Sequence, residues 1–389
     1  MTVREFGNAM GNPLARPRTG TSAASPIGDV TVSVNSLSDK YLEADGSLVS
    51  SLDFPLLPRA YAEVSGTVAT GRTMPASNEW SAVCYGNGIF VAVAGRQSAT
   101  NLAAWSVDGI TWNLVSISAL PGARWSSVCY GAGIFVAVSV ASNSGAWSAD
   151  GITWNSLTLP AVAGYSSIAY GNGMFVAIPS NAGTASTVAA SSPDGLTWTA
   201  RAMATSFIWY SVTYGKGLFV AVGTTNSGGS TNGYNTSTDG ITWASSSRNL
   251  PSSQAWQTVG FGGGFFVALA YGSTVAARSA DGISWIQTSL PSGGNWNSVA
   301  YGDGVFIAVA FINQSYAYSR DGLTWVLVSA GMLTSSYWKG IAFGAGTFVA
   351  VAGDPTTSSA TISVAYSGTQ SRLPSINLAY PYKAYVRVK

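Results

Sequence analysis

The chain has 389 residues, 9% of them charged and 12% aromatic, with 45 glycines, 14 tryptophans and no histidine. A charged fraction far under the ~25% usual for soluble proteins, at a net charge of +2, leaves no basic stripe for nucleic acid. The lack of histidine excludes Ser-His-Asp triads, His-ligated zinc and imidazole general bases.

In chain order, Met1 to Asn8 has no apolar stretch of the secretory-signal kind. Residues 1–30 are rich in Gly, Pro, Ser and Thr and read as an extended anchoring arm. Residues 31–60 hold the stretch Lys40-Tyr41-Leu42 … Ala44-Asp45-Gly46-Ser47-Leu48-Val49-Ser50 … Phe54-Pro55-Leu56-Leu57. No apolar run reaches the ~18 residues of a membrane span.

From residue 61 onward the sequence repeats. A phrase Y/F-G-x-G-x-F-V/I-A-V/L/I begins at Tyr85, Tyr130, Tyr170, Tyr214, Phe261, Tyr301 and Phe343. Five residues before each start stands Trp80, Trp125, Tyr165, Trp209, Trp256, Trp296 or Trp338. A second phrase, S-x-D-G-x-T/S-W, falls between copies of the first, with aspartates Asp108, Asp150, Asp194, Asp239, Asp281 and Asp321. The seventh copy decays to Ala365-Tyr366-Ser367-Gly368. A period of this length, with alternating and continuous apolar runs bounded by turn residues, predicts four short strands per unit. In the second unit these are Trp125-to-Tyr130, Ile134-to-Val138, a strand near Gly145-to-Ser148, and one opening at Thr153-Trp154 after an Asp150-Gly151 hairpin turn.

Seven such units predict an all-β fold, a seven-bladed β-propeller spanning 61–368. Met74-Pro75 before Trp80 matches Leu290-Pro291 before Trp296. Residues 67–74 are therefore expected to supply strand d of the last blade and remove an open edge. The Y-G-x-G phrase joins two strands with no helix behind it, so it reads as a turn rather than a phosphate loop. Cys84 and Cys129 share one repeat position and read as small core residues.

The S-x-D-G-x-T-W phrase resembles the Asp-box of sialidase-like propellers. That resemblance implies that each aspartate caps a turn and each tryptophan packs between blades, so the six aspartates are structural. The 40–57 stretch is similar to the phage tail-collar family, though Ala44 stands where that family has Cys or Asn. The ending Tyr382-Lys383-Ala384-Tyr385-Val386-Arg387-Val388-Lys389 resembles the termini of phage fibre and collar proteins. The repeat array itself is similar to propellers of phage virion proteins. These likenesses imply a virion location in tail or baseplate, with synthesis in the bacterial cytoplasm. They also imply a small platform in which residues 369–389 pair with the collar-like segment, contacts with other virion proteins through arm and platform, and a homotrimer.

A glycan hydrolase needs two facing carboxyls, and from residue 76 onward the only acids outside the repeats are Glu79, Asp303 and Asp354. Hydrolysis is therefore the weakest alternative, and no cofactor or metal is expected. In an up-and-down blade the a–b and c–d turns share one face, and the b–c and d–a loops share the other. The first face is uniform among repeats and the second varies, so recognition is expected on the second; drift in unconstrained loops is the other explanation. Candidate ligand contacts there are Arg96, Trp105, Trp147, Asn226, Asn232 and Tyr234, with strand-c packing the alternative for the two tryptophans. The reading is a non-enzymatic virion component that binds a bacterial surface glycan or protein, with no nucleic acid and no membrane insertion. The alternative is a structural decoration or spacer of the virion.

Overall fold

The computed structural model describes residues 74–353, apart from 77, 96–100, 118–122, 161–163, 180–184, 226–228, 246–248, 312–315 and 329–336. Outside that span it describes the backbone of eight strands: Val3–Phe6, Val30–Ser33, Tyr41–Glu43, Leu48–Ser50, Thr70–Thr73, Ser363–Gly368, Gln370–Arg372 and Lys383–Arg387. The chain divides into two compact units, one of residues 68–367 and one built from 1–67 with 368–389. No helix of the described residues is long and apolar enough to cross a membrane.

The larger unit is the propeller. Its second blade runs Trp125–Gly131, Ile134–Ser139, Ser144–Ser148 and Asn155–Thr158, as strands a to d of an antiparallel sheet. Strand d begins just after Trp154, not at Thr153-Trp154. The reason is local: Asp150 holds the amides of Ile152 and Thr153, so the turn is wider than a two-residue hairpin. The two-residue hairpins are the a–b turns instead. Ala132 and Gly133 both have positive φ (47° and 83°), as do Asn87 and Gly88 (48° and 80°), which is type I′ geometry and needs glycine most at the second place. Strand d of one blade runs on into strand a of the next in Thr199–Gly215 and Trp285–Gly302.

Strands a of successive blades adjoin one another in a closed circuit, so they are innermost. The first glycine of each Y-G-x-G phrase shows how the circuit closes. Gly86 lies against the ring of Tyr130, Gly131 against Tyr170, Gly171 against Tyr214, and Gly215 against Phe261. Gly262 then meets Tyr301, Gly302 meets Phe343, and Gly344 meets Tyr85. At each of these positions a Cβ would collide with the neighbouring ring. Seven apolar clusters fill the wedges, each joining two adjacent blades: Val91 and Val93 of one blade pack with Trp125, Phe135 and Trp154 of the next. The last blade consists of Trp338–Gly344, Thr347–Ala352, Ser363–Gly368 and, from the other end of the chain, Thr70–Thr73.

In the smaller unit Lys383–Arg387 lies between Val30–Ser33 and Tyr41–Glu43, and Gln370–Arg372 pairs with Leu48–Ser50. Val3–Phe6 adds a parallel strand beside Val30–Ser33. Four residues of the 1–30 stretch thus pair with a sheet edge.

Candidate ligand-binding face

The uniform face is built by hydrogen bonds within each Ser-x-Asp-Gly turn. In all six, the aspartate Oδ1 accepts from the serine hydroxyl at 2.8–3.0 Å. The same oxygen accepts from the amides two and three residues on, as in Ile152 (2.8 Å) and Thr153 (2.7 Å) for Asp150. The serine Oγ accepts from the glycine amide, at 2.8 Å for Gly151. The indole of Trp154 donates to the Gly151 carbonyl at 3.1 Å. Burial pushes the Asp281 carboxyl up, but the amides of Ser284 and Ile283 and the hydroxyl of Ser279 outweigh it and hold the group at about 2. The other five aspartates are also lowered, Asp150 chiefly by the Thr153 amide. These carboxylates sit one per blade. Among the described residues no group of three or more His, Cys, Asp or Glu could hold a metal.

Cross-blade bonds put both turn types on one face: Asn172, in an a–b turn, donates to the carbonyl of Thr238, and Lys216 donates to that of Ala280. Glu79 and Asp303 therefore lie on opposite faces. Asp303 opens an a–b turn (φ 43°), while Glu79 precedes a strand a and pairs with Lys339 at 3.2 Å across the seam between the last and first blades, both side chains buried. Asp354 lies outside the described residues. Cys84 and Cys129 are free thiols, partly buried by residue, and burial raises both.

The sequence-predicted contacts divide three ways. Arg96 and Asn226 lie outside the described residues. Trp105 and Trp147 are partly buried on strands c and pack against the wedges between blades 1 and 2 and between blades 2 and 3, so neither stands free as a stacking platform. Tyr234 is a correction: it is 1% exposed, its hydroxyl donates to the Ile283 carbonyl at 2.9 Å, and its ring meets Trp285 edge-on at 5.9 Å. It opens strand c of blade 4, and that register turns the ring into the wedge. Asn232 is partly buried, and its carbonyl accepts from the Leu250 amide at 2.7 Å. The neighbouring Thr231 bridges Gln254, so the long loop of blade 4 is tied down at its end.

The variable face has a second feature that loop length did not reveal. The residue following the strand-a aromatic is Ser81, Ser126 and Ser166 in blades 1–3, but Tyr210, Gln257, Asn297 and Lys339 in blades 4–7. Two of the serines stitch blades together: Ser81 Oγ donates to the Trp125 carbonyl at 2.6 Å, and Ser126 Oγ to that of Tyr165 at 2.6 Å, while Ser166 Oγ donates within its own blade, to the Ile178 carbonyl. Asn297 makes the same stitch to the Lys339 carbonyl at 2.8 Å and accepts from Gln257 at 3.3 Å. The signal was present in the repeat array, at a position where the residue type changes halfway round the ring.

No family model and no curated protein sequence matches this chain. Among solved structures it is similar to a streptogramin B lyase (TM-score 0.64, 11% identity, covering 77% of this chain and 96% of that one). It is similar to virginiamycin B lyase from Staphylococcus aureus (TM-score 0.63, 10% identity, 77% and 98% covered). YCF48 bound to D1 peptide gives a TM-score of 0.60 at 16% identity, covering 78% of this chain and 96% of that one. Virginiamycin B lyase and YCF48 are β-propellers, and identities this low carry the fold alone. The fold is a β-propeller.

Proposed function

We propose that this chain is a non-enzymatic bacteriophage virion component, of tail tip, baseplate or fibre, whose variable propeller face binds the host surface. The observation that carries the reading is the contrast between faces: on one the serine–aspartate turn is repeated bond for bond in six blades, while the other changes in loop length and in residue type. The collar-like and Asp-box-like sequence features supply the virion context and assign the arm and platform to contacts with other virion proteins, as a trimer. Two neighbours help to weigh the alternatives. A catalytically inactive form of virginiamycin B lyase is a histidine-to-alanine variant, and this chain has no histidine to supply that role. YCF48, in the structure named above, is a propeller bound to a peptide, which is recognition of the kind proposed here. Shallow contacts would gain strength from several copies per particle.

The test is binding of the purified chain to intact cells of candidate bacterial hosts and to their extracted surface glycans. A version lacking Thr225–Ser230, which spares the Thr231–Gln254 bridge, runs beside it. Saturable binding lost on deletion supports an adhesin acting through the loop face; unchanged binding moves the site elsewhere on the propeller; no binding by either chain sinks the reading. One observation favours the second reading, a structural spacer. Ile110, Ile152, Leu196, Ile241, Ile283 and Leu323, one per blade on the uniform face, are each more than a third exposed and would suit a flat protein partner.

A further inference from the structure

We propose that the arc of the variable face over blades 4–6 is the ligand site, and that it takes an uncharged, polyhydroxylated ligand of the oligosaccharide class. The inference rests on the receptor-binding reading and names the site within it. Its first support is that the fold asks for less than these blades supply. A serine is sufficient to stitch one blade to the next, as Ser81 and Ser126 do, yet blades 4–6 place Tyr210, Gln257 and Asn297 there, all partly exposed.

A second position behaves the same way. The amide just past strand b bonds the carbonyl just before strand a in five blades: Gly95 to Glu79 (2.8 Å), Val140 to Arg124 (2.8 Å), Tyr271 to Ala255 (2.8 Å), Phe311 to Asn295 (2.7 Å) and Gly353 to Tyr337 (3.0 Å). That bond is blind to the side chain: glycine serves in blades 1 and 7 and valine in blade 2. Blades 5 and 6 nevertheless carry Tyr271, 41% exposed, and Phe311. The Tyr271 hydroxyl is raised by burial and by the Tyr210 hydroxyl of the preceding blade.

Among the described residues the chemistry of the arc is amide, phenol and ring face without free charge. The cation of the adjoining blade 7, Lys339, pairs with Glu79 at 3.2 Å and lies 4.2 Å over the Phe311 ring. Among the described residues of the arc a carboxylated or sulfated ligand would find no open cation. Vicinal hydroxyls suit the amide of Gln257 and the phenol of Tyr210, and an apolar sugar face suits an exposed tyrosine ring.

The experiment measures binding of the full chain to immobilised oligomers of glucose, galactose, mannose and N-acetylglucosamine, beside sialylated and sulfated counterparts. Tyr210→Ser with Gln257→Ser writes the blade 1–3 residue into blades 4 and 5, and Tyr271→Ala removes an exposed ring; Ile152→Ser on the opposite face is the control. The expected result is binding to a neutral oligomer, weakened about tenfold or more by either arc variant and unchanged in the control. If the double variant melts lower than the parent, Tyr271→Ala decides alone. Binding restricted to acidic oligomers, or to none, overturns the ligand class, and unchanged affinity in the arc variants overturns the site. Whole-cell adhesion is measured in parallel. Adhesion that survives in the arc variants overturns this site while leaving the receptor-binding reading intact; no adhesion by the parent chain overturns both.

Discussion

The two glycines of each Y-G-x-G phrase serve different physical needs. Gly131 is a place where the ring of Tyr170 leaves no room for a methyl group. Gly133 has open space around it but sits at φ 83°. Gly131→Ala should therefore cost about 1–3 kcal/mol through overpacking between blades, read as a lower urea midpoint with an unchanged slope. The residue between them is itself strained: Ala132 lies at φ 47°, where asparagine is better tolerated. The same place in blades 1 and 3 holds Asn87 and Asn172. Ala132→Asn is expected to raise stability by about 0.5–1 kcal/mol, visible as a higher melting temperature; a lower one would show that the turn is not limited by backbone strain.

Among elements, the decisive one is the four-residue strand Thr70–Thr73. Its partner, Ser363–Gly368, comes from the far end of the chain, so the ring closes by non-local pairing. Without it the last blade would present an unpaired edge, the kind of surface that recruits other chains. The strands of the seven blades fall within residues 68–367, save Gly368 at the end of the last strand c. A fragment of 68–367 should then melt in one cooperative step, while one of 74–367 should melt lower and aggregate. Equal melting of the two fragments would mean that three strands suffice for the seventh blade. The repeat array made the blade order readable, because every unit restates the same apolar run and turn residues. The boundary of strand d was not readable, because Thr153 and Trp154 look like strand residues until the Asp150 carboxylate is seen holding the turn open.

At the scale of the whole molecule the six aspartate turns act together. Each carboxyl is held below its ordinary value in the folded chain, so folding favours the deprotonated form. The stability this contributes is present above the unfolded value near 3.8 and is lost as pH falls towards the folded value, about 2 for Asp281. The urea midpoint should stay level between about pH 7 and 5 and drop between about pH 4 and 2. Asp150→Asn should flatten part of that drop; an unchanged profile would place the acid sensitivity elsewhere.

Sequence alone determined the architecture, since a phrase repeated seven times needs no long-range information to be recognised, and a unit with two apolar faces must bury them against copies of itself. It also determined the fate of the six aspartates, because a carboxylate followed by glycine is satisfied within its own turn. Only the tertiary structure decided the burial of Tyr234, Gln257 and Tyr271. Whether a side chain at a loop margin enters a wedge or the mouth of the ring depends on strand register and on which blade stands beside it. Tyr234 turns inward to the Ile283 carbonyl of the next blade, while Tyr271, at a comparable margin, stays exposed. That difference is set between blades, by neighbours that lie about 40–50 residues apart in the chain.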